Sequence, residues 1–227
     1  MSVPVVTVDG PAGSGKTTLG RRLALDLRLP FIDTGLFYRA VTVAAVRAGL
    51  GAGDRDRIAE VARSTAIEVN TAASDLSWEV RVDGAEPGAS IRDPRHAALL
   101  TAISQLPEVR QHLLALQRAP ATRGAVAVGR DCGTVVFPEA AVKLYLLASE
   151  AVRTARRAAQ LASQGTPVDA RDLDTEIAGR DLGDARAMPA APDAVVIDTG
   201  SRGIDEMVEM ALSLCAAAGI GPPRPSR

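Results

Sequence analysis

The sequence predicts an α/β protein, an open parallel sheet with helices on both faces, and three observations predict it. Five short runs are apolar on successive residues, as in strands buried on both faces. Between them lie segments with a 3.6-residue period. A glycine-rich loop joins the first run to the first such segment. Strand alternating with helix implies parallel pairing through right-handed crossovers.

The strands are expected at residues 3–8, ending in Asp9, then at 31–33, 125–128, 142–147 and 194–197. A helix beginning near Lys16 carries Leu19, Leu23 and Leu27 at i, i+4 and i+8. Ser149 is an expected N-cap for a helix that starts at Glu150. Ile204, Met207, Val208, Ala211 and Leu212 define a C-terminal helix. Residues 65–120 break this rhythm. They hold two short strands (67–69 and 78–82), an Asp83-Gly84 turn, a cap at Asp93-Pro94 and a helix opened by Pro107 with Val109, Leu113 and Leu116. They are expected to be an insertion between the second and third core strands. The organisation is then a first core part at 1–64, the insertion at 65–120 and a second core part at 121–227. From Gly219 onward the tail is expected to fray.

Composition excludes several classes. The chain has 227 residues, 26 basic and 27 acidic, with a formal charge of −1. A chain this long buries roughly 70–75 % of its unfolded surface, so it needs no disulfide or metal staple. Near-zero net charge gives no pull toward nucleic acid or a membrane surface. Cys132 and Cys215 match no metal spacing, which fits a reducing cytoplasm. The N-terminus lacks a signal peptide's charged start and long apolar stretch, and no run approaches the ~20 apolar residues of a membrane span. A cytoplasmic monomer is the expectation.

Gly10, Pro11, Ala12, Gly13, Ser14, Gly15, Lys16 and Thr17 match G-x-x-x-x-G-K-[ST], with Thr18 beside them. The motif stands between a strand and a helix, where its chemistry works. Glycines let backbone N–H groups turn inward around phosphate oxygens, and the helix N-terminus adds partial positive charge. Lys16 would lie along the β- and γ-phosphates and the Thr17 hydroxyl would ligate Mg²⁺. The class is therefore a P-loop NTPase-like five-stranded parallel sheet with a small insertion, either an elaboration of the fold or a substrate-binding domain, and a short lid at about residues 164–190.

Phosphoryl transfer spreads negative charge, and a phosphorylated acceptor adds a second anion, so several arginines are needed. Thr34 and Arg39 follow the second strand; Arg130 and Asp131 follow the third. Carboxyl ends of such strands are where ligands bind. Arg153, Arg156 and Arg157 share one predicted helix and either serve phosphates or form a solvated face. Arg180, Asp184 and Arg186 lie in a polar stretch able to close over ATP as the lid.

The chain resembles the bacterial cytidylate kinases of the nucleoside monophosphate kinase group. The resemblance is carried by VDGPAGSGKTT, FIDTGLFYRAV, the IRDP and AISQLPEVR segments, GRDCGTVVFPEA, VKLYLLAS, ARRAAQL and PDAVVIDTG. It implies ATP-dependent phosphorylation of CMP and dCMP with Mg²⁺, and makes the insertion a CMP-binding domain. Thr34, Arg39 and Arg130 would hold the CMP phosphate. Thr101, Arg110 and Asp131 would read the cytosine, and Arg180 and Asp184 the ribose. Lys16, Thr17 and Arg157 would attend the ATP phosphates and Mg²⁺; the lid lacks an arginine that the family places slightly later, so either Arg186 substitutes for it in catalysis or transfer is slow.

Three departures from the family pattern stand out: Val128 in place of an acidic residue, a short lid, and His96-Ala97-Ala98 where a small residue and an asparagine are expected. Val128 is expected to weaken Mg²⁺ positioning. A divergent small-molecule kinase with another phosphorylated or hydroxyl acceptor is the alternative. A GTPase-like switch fits poorly, because the sole asparagine, Asn70, precedes Thr71 and makes no guanine-reading Asn-Lys pair.

Overall fold

The computed structural model describes residues 3–71, 78–163 and 189–222. In chain order its first half comprises β1 (Val5–Asp9), α1 (Lys16–Leu27), β2 (Phe31–Asp33), α2 (Gly35–Arg47), α3 (Arg55–Ser64), β3 (Ile67–Thr71) and β4 (Trp78–Val82). There follow α4 (Ala97–Ser104), α5 (Pro107–Arg118), β5 (Ala125–Gly129), β6 (Val142–Leu147), α6 (Glu150–Ser163), β7 (Val195–Asp198) and α7 (Ile204–Ala217). Five strands pair in parallel in the order β2-β5-β1-β6-β7. These are the five expected runs. The register sets Asp9 beside Gly129, so the end of β1 adjoins the loop that leaves β5.

In β1 and β5 successive residues face opposite helix layers, which is why these two runs are the most evenly apolar and buried. Val6, Val8, Val126 and Val128 join Leu19, Leu23 and Leu27 of α1 and Met207, Ala211 and Cys215 of α7 in one cluster. Each of those leucines contributes roughly 1.5–3 kcal/mol by leaving water. On the other face Ile32, Ala125 and Ala127 meet Phe37 and Val41 of α2 and Ile58 of α3. Ile103 of α4 and Val109 and Leu113 of α5 join the same cluster. The helices of the inserted stretch thus bury their apolar stripes against the sheet layer. The antiparallel pair β3–β4 packs separately, setting Val80 and Val82 on Leu36, Ala40 and Ala44 of α2.

Local signals act as expected at several ends. Ser149 caps α6, its Oγ accepting from Val152 N at 3.4 Å. Asp93 accepts from Arg95 N at 2.9 Å, capping a short 3₁₀ turn (Pro94–His96) that leads into α4. Asp83 and Gly84 form a turn with φ of 53° and 75°. The tail differs from expectation. Beyond α7, Gly219 reverses the chain at φ 77°, Ile220 N donates to Cys215 O at 2.8 Å, and Ile220 is buried in the α1–α7 cluster. A glycine-terminated helix end with an apolar residue after it docks rather than frays. No helix among the described residues is long and apolar enough to cross a membrane.

Candidate active site

The site is built at the carboxyl ends of β1, β2 and β5, where the sheet opens. Gly10 leaves β1 at φ 144°, and a Cβ there would lie 2.3 Å from Leu146 O, so both backbone shape and space demand glycine. The loop then enters α1, whose N-terminus is anion-attracting. Lys16 Nζ donates to Pro11 O at 2.6 Å. Ser14 is buried behind the loop. Ala12, Gly13, Lys16 and Thr17 line a cleft of about 260 Å³. Gly10, Pro11, Ser14 and Gly15 complete the loop, while Thr18 is exposed one residue further along α1.

Burial pushes the Lys16 ammonium down to about 7, and the Arg130 guanidinium adds to the push; Asp9 and Asp33 oppose it. A bound anion would offset that burial cost.

The opposite wall of the same cleft comes from α2, the inserted stretch and the loop after β5. Thr34, Arg39, Thr101, Arg110, Arg130 and Asp131 all line it. Arg39 Nη1 donates to Ile91 O at 3.2 Å. Arg110 forms a short ion pair with the buried Asp131 carboxylate and donates to Ser104 O at 3.3 Å. This pair sets a donor fork beside an acceptor, a complement for a base edge that carries both acceptors and an amine. Two hydroxyls are otherwise engaged. Thr34 Oγ1 donates to Val128 O, and Thr101 Oγ1 donates to Ala97 O, each at 3.0 Å. With those protons committed, both threonines keep oxygen lone pairs as acceptors.

Several contributors carried no assigned role in the sequence, although Asp33 and Tyr38 flank residues that did. Asp9 accepts from Cys132 N at 2.8 Å and Gly133 N at 2.7 Å, one bond per carboxylate oxygen. It thereby holds the loop that carries Arg130 and Asp131. Burial raises its pKa, with the two N–H bonds opposing. Asp33 lines the cleft, accepts from Gly35 N at 3.1 Å and lies 4.0 Å from Arg92. Its pKa is raised by burial and opposed by Arg92 and Arg39. Arg92 lines the cleft from the inserted stretch. Tyr38 also lines it, its phenol pushed up to about 12 chiefly by burial. Gln117, fully buried, donates to Thr34 O at 3.3 Å.

Val128 turns into the α1 layer, where its Cγ1 would be 2.3 Å from a Cβ on Gly20, and its carbonyl holds Thr34. Arg157 falls within α6, but its side chain lies outside the described residues, as do Arg180, Asp184, Arg186 and most of the expected lid. Arg153 is buried, so the solvated-face reading does not hold for it.

Known proteins resemble the chain over most of its length. The cytidylate kinase family model matches residues 6–217. A cytidylate kinase of Pelotomaculum thermopropionicum is 37 % identical over 221 residues, covering 95 % of this chain and 97 % of that protein. One from Syntrophotalea carbinolica is 40 % identical over 217 residues, covering 93 % and 92 %. Among solved structures, a gluconokinase from Sinorhizobium meliloti aligns with a TM-score of 0.47 at 15 % identity over 95 % of this chain and 94 % of that one.

Proposed function

The chain belongs to the cytidylate kinase family, and from that premise we propose that it transfers the γ-phosphoryl group of ATP to CMP and dCMP, giving ADP with CDP or dCDP. It is a phosphotransferase with a phosphate as acceptor. One observation carries the reading: a single cleft is lined by Lys16 and Thr17 of the phosphate loop and, facing them, by Arg39, Arg110, Arg130 and Asp131. A donor and an anionic acceptor therefore have adjoining seats. The acceptor oxygen is already charged, so in-line attack on the γ-phosphorus needs no strong general base; positioning and cations supply the catalysis.

The roles follow from residue chemistry. Lys16 holds the β- and γ-phosphates while the loop N–H groups cradle them. Arg39 and Arg130 grip the acceptor phosphate bidentately, and Arg92 lines the same cleft. Arg110 donates to the cytosine acceptors O2 and N3, and Asp131 accepts from its amine. Residues 65–120 then serve as the acceptor-binding part, with Arg180 and Asp184 on the ribose and Arg157 and Arg186 on the transferring group. The Thr17 hydroxyl and the nearby Asp33 carboxylate are hard oxygen donors suited to Mg²⁺, which keeps several waters and takes most other ligands from phosphate. Thr17 would hold the ion, which would neutralise charge on the β- and γ-oxygens. A cytoplasmic monomer that binds no nucleic acid completes the proposal.

A coupled assay of ADP release across CMP, dCMP, UMP and AMP tests it. The expected result is ATP turnover strongly stimulated by CMP and dCMP. Turnover indifferent to every pyrimidine monophosphate would reject it.

A further inference from the structure

We propose that Arg153, Arg156 and Thr199 form a brace that positions the donor phosphate loop by holding its carbonyls. The inference rests on the reading that residues 10–17 hold a triphosphate. A loop that turns its N–H groups inward around phosphate must turn carbonyls outward, and buried carbonyls need donors. α6 supplies them.

Arg153 is only 6 % exposed. Its Nη1 donates to Ala12 O and its Nε to Ala148 O, each at 3.2 Å. Helix and loop touch there: a Cβ on Gly13 would lie 3.1 Å from that of Arg153. Nearly one turn further along, Arg156 donates to Thr199 Oγ1 at 2.8 Å and to Thr199 O at 2.6 Å. A guanidinium has no acceptor, so the Thr199 hydroxyl cannot direct its single proton back at Arg156. Ser14 O receives that proton at 3.2 Å. Thr199 is fully buried, so water does not compete for the bond. A cation on α6 thereby fixes the direction of a hydroxyl that in turn fixes a carbonyl of the phosphate loop. These are positioning residues, and they place α6 and the end of β7 in control of donor binding.

The test is equilibrium binding of adenylyl imidodiphosphate with Mg²⁺, and separately of CMP, to the full chain. The variants are Thr199→Val, Thr199→Ser, Arg156→Met and the double variant Thr199→Val/Arg156→Met. Thr199→Val and Arg156→Met are each expected to weaken the ATP analogue by about fivefold, the order of one lost hydrogen bond, with CMP binding changed by less than about twofold. Thr199→Ser keeps the hydroxyl and is expected to bind the analogue as the wild type does. The double variant is expected to be no worse than the worse single one, because both act through one hydroxyl. Equal losses for analogue and CMP, undiminished analogue binding in Arg156→Met, or multiplying losses in the double variant would overturn the brace. If Thr199→Val does not fold, Arg156→Met and Thr199→Ser decide the matter. A wild-type chain that does not bind the analogue would sink the donor-site reading itself and the brace with it.

Discussion

Lys16 sits where burial and Arg130 push its ammonium down to about 7. A bound triphosphate favours the charged form, so the amine must take up a proton on binding whenever the pH lies above that value. The sign is definite: raising the pH above about 7 removes the charge from the nucleotide-free site and weakens ATP binding. Calorimetry at a pH one unit higher, in two buffers of different ionisation heat, is expected to show uptake approaching one proton; observed heats identical in the two buffers would contradict it. Arg130 faces the same cleft. Arg130→Ala is expected to lower turnover at least about tenfold, some 1.4 kcal/mol of transition-state stabilisation. A near-wild-type rate in the ADP-release assay would remove it from the site. Residues of this kind were legible because their motifs are local in sequence. Asp9 was not, because its partners Cys132 and Gly133 lie more than a hundred residues away and no nearby pattern announces them. Gln117 left a signal that went unread. It falls at i+8 from Val109 and i+4 from Leu113, a polar side chain on an apolar stripe, and it is buried.

At the scale of elements, α1 and β5 approach so closely that Gly20 has no room for a side chain. A Cβ there would meet Val128 Cγ1 at 2.3 Å and Phe31 Cε2 at 3.0 Å. Gly20→Ala gains helix propensity but overpacks the α1–sheet seam, at a cost of about 1–3 kcal/mol. Thermal unfolding is expected several degrees lower, given roughly 2–4 °C per kcal/mol for a chain of this size. An unchanged or raised midpoint would show that the seam can relax. β1, β2 and β5 were legible because parallel strands buried on both faces show no alternation to misread, whereas β6 and β7, partly exposed, were legible from their apolar residues alone. α3 was missed, since its buried face is made of Ile58, Ala59 and Ala62, two of them small. So was the single wide turn at Cys132–Val136, whose shape depends on Phe137 N donating five residues back to Cys132 O at 2.6 Å and on Arg118 donating to Val136 O at 2.7 Å. Neither bond follows from local propensity. The docked Ile220 shows the same limit: an apolar residue after a glycine frays or packs according to what lies beneath it.

Across the whole molecule, the sheet order puts β1 at the centre, between β5 and β6. The donor loop after β1 and the acceptor loop after β5 therefore leave neighbouring strands, and Asp9 ties one to the other. α2, α4 and α5 share a cluster with the sheet and carry Arg39, Thr101 and Arg110 to the opposite wall. Transfer between two nucleotides depends on that adjacency more than on any single side chain. The most direct measurement follows radioactive phosphorus from the γ-position of ATP in the presence of Mg²⁺ and CMP. The label is expected in the β-phosphate of CDP, in step with the ADP formed. Label recovered only as inorganic phosphate, or left in ATP whichever pyrimidine monophosphate is supplied, would contradict the account.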